Sequence, residues 1–118
     1  MAYRPYWIVT LLASAALAGC ATPVYEGRFA WSDGWRTGVV ERIGLDELAQ
    51  RRYEWQCGFS PPRQPVEVFA VVRWREVGRV RWRVAAYRES ASIELNSAVY
   101  VNVRNCESFL HKRTNIQP

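Results

Sequence analysis

The chain has 118 residues, 16 Lys+Arg against 11 Asp+Glu for a formal net charge of +5, three cysteines and one histidine. That length holds one compact domain with a modest core and excludes two. The single histidine argues against a histidine-based metal or acid–base centre, and the positive charge is carried almost wholly by arginine, Lys112 being the one lysine. Arginine is weakly hydrated and forks onto carboxylates and phosphates, so the bias points to fixed ion pairs or anion contact, or else to the codon usage of a GC-rich genome.

In the first five residues Arg4 is the only charged side chain; Tyr6 to Ala18 is apolar apart from Thr10 and Ser14, and small residues lead to Cys20. This is the order of an export signal. The apolar run falls short of the roughly 20 residues that a spanning helix needs, so no permanent transmembrane helix is expected. Leu17-Ala18-Gly19-Cys20 resembles the lipobox of bacterial lipoprotein precursors, over residues 1–20 only. The resemblance implies that residues 1–19 are removed and that the Cys20 thiol takes a diacylglyceryl group, usually with acylation of the new amino group. A covalent lipid, and no cofactor, is therefore expected. Two or three acyl chains anchor firmly, each buried methylene contributing about 0.8 kcal/mol. Ala21 in place of an aspartate favours, by the same resemblance, the outer membrane facing the periplasm, with the inner membrane as the alternative. A plain secretory signal with a chance cysteine is the other reading of this segment.

Residues 20–27 then form a lipidated N-terminus and short tether, residues 28–112 a single β-rich periplasmic domain, and residues 113–118 a frayed tail. Asp33-Gly34 between aromatic flanks predicts a tight turn joining Arg28–Trp31 to Trp35–Ile43 as a first hairpin. Leu45 to Tyr53 has a helical period, with Leu45, Leu48, Ala49 and Arg52 on one side and Asp46 and Glu47 at its start, where carboxylates favour the helix dipole. Pro61-Pro62 and Pro65 enforce an extended crossing. With Cys20 lipidated, Cys57 and Cys106 are left to pair in an oxidising compartment. Closing the loop between them would stabilise the fold by about 4 kcal/mol.

Two alternating runs, Val66–Arg75 and Arg79–Ala86, predict a hairpin around Glu76-Val77-Gly78. Setting apolar residues opposite apolar ones selects a three-residue loop pairing Trp74 with Val80, Val72 with Trp82 and Ala70 with Val84. That register would gather Arg73, Arg75, Arg79, Arg81 and Arg83 on one face. Like charges facing each other repel, so such a face asks for Glu67, Glu76, Glu89 or Glu94, a lipid phosphate or an acidic partner to neutralise it. A solvated, charge-guarded edge is its bland reading. Ile93 to Arg104 predicts a third strand, or two broken at Asn96-Ser97, and Glu107–His111 a helical turn. Trp74 and Trp82 are expected in the core; Trp31 and Trp35 either join it or lie at the headgroup level.

The fold expected is mainly β, α+β at the margin: a small antiparallel sheet with one short helix and one disulfide. No nucleophile–base constellation, phosphate-cradling glycine loop or Cys-x-x-Cys spacing is present, so neither an enzyme nor a metal site is expected. An envelope location argues against nucleic acid. The reading is a membrane-anchored, non-catalytic envelope lipoprotein, a structural or assembly accessory whose basic hairpin contacts anionic lipid or an acidic envelope protein. An alternative rests on Tyr53-Glu54-Trp55-Gln56-Cys57, which resembles the opening strand of small lipid-anchored lysozyme inhibitors and implies inhibition of a host enzyme; the Ser-Gly-x-x-Tyr loop of those inhibitors has no counterpart here.

Overall fold

The computed structural model describes residues 22–61 and 67–114. The export signal, Cys20, Pro62, Pro65 and residues 115–118 lie outside the described residues. A two-stranded ribbon, β1 (Val24–Tyr25) and β2 (Phe29–Ala30), precedes a five-stranded antiparallel sheet in the order β5-β4-β3-β6-β7. Its members are β3 (Trp35–Ile43), β4 (Glu67–Glu76), β5 (Arg79–Arg88), β6 (Ala98–Asn102) and β7 (His111–Lys112). One helix, α1 (Glu47–Cys57), and the Cys57–Cys106 disulfide complete a mainly β domain.

The sheet curls. Leu110, just before edge strand β7, donates its backbone N–H to Ala86 O of the opposite edge strand β5 at 2.9 Å. Inside the curl Val40, Val72, Val99 and Val101 are fully buried and pack with Ala70, Tyr87, Ile93 and Leu110. A second cluster forms outside, where Ala49 and Tyr53 of α1 cover Phe69, Val71, Val84 and Ala86. β4 and β5 are therefore buried on both faces at this end. Gly38 lets β3 and β4 approach: a Cβ there would meet Val72 Cγ1 at 2.6 Å and Arg73 O at 2.8 Å. A backbone oxygen has little room to yield, so Gly38→Ala is expected to cost about 1–3 kcal/mol, seen as a lower urea midpoint at unchanged slope.

Helix α1 begins and ends on recognisable caps. Asp46 accepts from Ala49 N at 2.8 Å, and Gly58, at φ 77°, donates its N–H to Glu54 O. These caps carry the helix one turn past the predicted end at Tyr53. They also turn its buried side toward Ala49 and Tyr53, leaving Leu48 and Trp55 exposed. At the C-terminal end of α1, the Gln56 side-chain amide donates to Trp82 O and accepts from Val84 N, occupying the free edge of β5.

Several expectations are corrected. Gly34 does turn at φ 99°, but it ends a 3-10 turn over Trp31–Asp33, and β2 pairs with β1 instead of β3. The expected tether thus contributes a strand from Val24. Of the third-strand segment only Ala98–Asn102 is strand, because Asn96 turns the chain at φ 68°. Residues 107–110 form no helix; they lead into β7. Arg113 and Thr114, expected in the tail, are tied down through Arg113 N to Ala98 O and Thr114 to the Glu26 carboxylate.

The β4–β5 register also differs. The loop is two residues, Val77-Gly78, at φ 52° and 73°, and it pairs Glu76 with Arg79, Arg75 with Val80, Trp74 with Arg81 and Arg73 with Trp82. Two positive-φ residues make the type I′ turn whose twist matches a hairpin. Matching apolar to apolar misled because the proximal strands are apolar on both faces while the distal end carries exposed arginines on both. In neither place does the alternation select a register.

Candidate anion-contacting surface of the distal hairpin

Cross-strand partners share a face and successive residues alternate, so this register divides the five arginines. Arg73 and Arg75 lie with Trp82 and Val80 on the face that α1 covers farther along; Arg79, Arg81 and Arg83 lie on the other. Arg83 is buried, its Nη2 lying 3.1 Å from Cys106 Sγ, and burial pulls its pKa down. It packs against the disulfide and offers little to a ligand. Arg73, Arg75, Arg79 and Arg81 are exposed.

The carboxylate nearest this end is already engaged. Buried Arg36 reaches Glu76 Oε1 through Nε and Nη2 at 3.3 and 3.2 Å, and Trp74 Nε1 lies 3.4 Å from Oε2. Arg36 Nη1 also donates to Trp31 O and Trp35 O at 2.8 Å, and its guanidinium lies 3.7 Å from the Trp31 ring centroid. Burial would raise the Glu76 pKa, yet hydrogen bonds from Trp74 and Arg36 and the charges of Arg36 and Arg81 hold it below its ordinary value. Among the described residues the ion pairs are Arg36–Glu76, Arg42–Asp46 and Arg51–Glu47. The four exposed hairpin arginines therefore have no carboxylate at ion-pair distance among the described side chains.

On the α1 side of the sheet a shallow depression of about 280 Å³ is lined by Thr37, Val39, Arg73, Arg75 and Arg113. Arg113 is held at the β6 edge by its backbone bond to Ala98; its Nε is buried without a hydrogen-bond partner and its guanidinium lies 5.7 Å from the Tyr100 ring centroid. Sequence reasoning missed both Arg113 and Arg36. One was assigned to the tail, and the other has partners 40 residues away or on the neighbouring turn.

The tryptophans separate similarly. Trp74 is buried and Trp82, on the opposite face, is 41% exposed, with Nε1 donating to Glu41 at 2.5 Å. Trp35 packs with Phe29 and His111, and Trp31 lies under Arg36, each residue half-buried. Burial and the Arg28 charge lower the His111 pKa, which favours neutral imidazole within that aromatic cluster. Trp55 is 86% exposed on α1. The pentapeptide from Tyr53 to Cys57 forms the final turns of that helix, so its likeness to an inhibitor's opening strand does not extend to structure.

The chain matches no protein-family model, no curated protein and no solved structure.

Proposed function

We propose that the protein is a lipid-anchored, non-catalytic envelope lipoprotein of the outer membrane's periplasmic face, held by acyl chains on Cys20. Its distal β4–β5 hairpin contacts an anionic partner, either lipid headgroups or an acidic envelope protein. The observation carrying this reading is the set of four exposed arginines, Arg73, Arg75, Arg79 and Arg81, with no ion-pair carboxylate among the described residues. Arg73 and Arg75 are neighbours on one face and Arg79 and Arg81 on the other, so each face gathers positive charge that a partner of negative charge neutralises. The lipobox resemblance supplies the address.

The test is expression of the full chain in a Gram-negative host, followed by intact-mass analysis and mild extraction. Loss of residues 1–19 with added acyl mass is expected. Basic side chains near an anionic surface contribute about 1 kcal/mol each, so changing the four arginines together to glutamine is expected to weaken retention of the co-extracted anionic lipid or acidic protein by about a thousandfold. Unchanged retention removes the hairpin reading, and an unacylated Cys20 removes the anchor.

A further inference from the structure

The extreme tip of the hairpin is anomalous. Val77 occupies the left-handed region at φ 52° and is 94% exposed. A β-branched residue resists that conformation, and Asn-Gly forms the same turn without the clash. The fold gains nothing from this side chain, which is strained and wet. Behind it on one face stand Val80 and Trp82, 36% and 41% exposed, and around it Arg75, Arg79 and Arg81.

The position of the tip adds an independent argument. Trp31 N donates to Pro23 O at 3.0 Å, Trp31 O accepts from Arg36, and Arg36 grips Glu76, the residue before Val77. This chain of contacts places the start of the domain and the hairpin tip at one end of the sheet. Cys20 precedes Pro23 by three residues, a reach of about 10 Å at most. A lipid on Cys20 therefore holds the tip close to the surface that the acyl chains enter.

We infer that Val77, backed by Val80 and Trp82, inserts into the headgroup layer of an anionic phospholipid leaflet beside the anchor, with Arg75, Arg79 and Arg81 on the lipid phosphates. An apolar point ringed by cations with an indole behind it suits that layer, where Trp concentrates and basic side chains meet anionic headgroups. This deepens the proposed hairpin reading and rests on it, choosing lipid over an acidic protein.

The test uses the acylated full chain reconstituted into vesicles of phosphatidylcholine with phosphatidylglycerol. Because Cys57 and Cys106 are paired and Cys20 is acylated, Val77→Cys provides one labelling site for an environment-sensitive fluorophore, and Leu95→Cys, at a residue 57% exposed elsewhere, provides the control. The probe at 77 is expected to shift to the blue and to be quenched by lipids spin-labelled near the headgroup, the probe at 95 to remain aqueous. Changing Arg75, Arg79 and Arg81 to glutamine is expected to reverse the shift. A probe at 77 that stays aqueous overturns insertion. If the four-arginine glutamine variant, extracted from the host as above, then still loses an acidic envelope protein, the hairpin reading stands without insertion; if it loses nothing, both fall. Val77→Asn serves as the folding control and is expected to raise Tm by several degrees, since it relieves the turn; a lower Tm would mean that the valine serves the fold and would also overturn the inference.

Discussion

Replacing Cys57 and Cys106 together by alanine is expected to lower stability by about 4 kcal/mol, because the disulfide closes a 49-residue separation whose freedom the unfolded chain would otherwise regain. For a domain of this size that corresponds to a Tm lower by about 15–30 °C. The bond joins the last residue of α1 to the segment following β6, and both cysteines pack against the cluster that α1 covers. Its loss also removes the sulfur beside buried Arg83. Thermal unfolding followed by circular dichroism, with and without reductant, measures the effect. A loss below about 1 kcal/mol would mean that Ala49 and Tyr53 hold α1 down without the crosslink, against the chain-entropy account.

Arg36 is the second position of large effect. It is 5% exposed and satisfies a carboxylate, two backbone carbonyls and an indole face at once. Arg36→Ala leaves Glu76, whose side chain is 26% exposed, without its partner and two backbone carbonyls without their donor, and losing hydrogen bonds to a charged group costs about 1.5–3 kcal/mol. Arg36→Met, which keeps the packed stem, is expected to cost less. The pH dependence separates charge from packing. The Glu76 carboxyl is held below its ordinary value in the fold, so its contribution is complete above the unfolded pKa of about 4.3 and is lost as pH falls through the lower folded value. Glu26 is lowered too, by hydrogen bonds from Thr114 and Tyr100, and acts in the same window. Wild-type stability should therefore fall below about pH 4.5, and Arg36→Met should fall less steeply there. Urea unfolding between about pH 3 and 7 measures both slopes, and parallel slopes would show that the carboxylate contributes nothing through Arg36.

What could be read from the sequence follows the range of each interaction. The α1 region announced itself by local period, although its bounds needed Asp46 and Gly58 to be taken as caps. The disulfide followed from counting once Cys20 was set aside. β4 and β5 were recognisable as strands, but their register depends on an α1 surface and on a turn at Val77 that ordinary valine preferences disfavour. With the register went the five-arginine face, since one residue of slip transfers every side chain to the other side. Arg36 and Arg113 carry no local signature; what marks them is a carboxylate and a strand edge that only the folded chain brings near.

The Gln56 amide has a wider importance than its two hydrogen bonds suggest. With one donor and one acceptor it stands in for the neighbour that β5 lacks, at Trp82 and Val84, and Leu110 does the same at Ala86. The edge is closed by groups that remain only while α1 and the segment after Cys106 stay docked. Undocking would bare apolar strand faces and reopen that ladder together, giving one copy of the chain a template on another. Reducing the Cys57–Cys106 bond, which ties α1 to that segment, is thus expected to change how this protein fails, from simple unfolding toward association along β5.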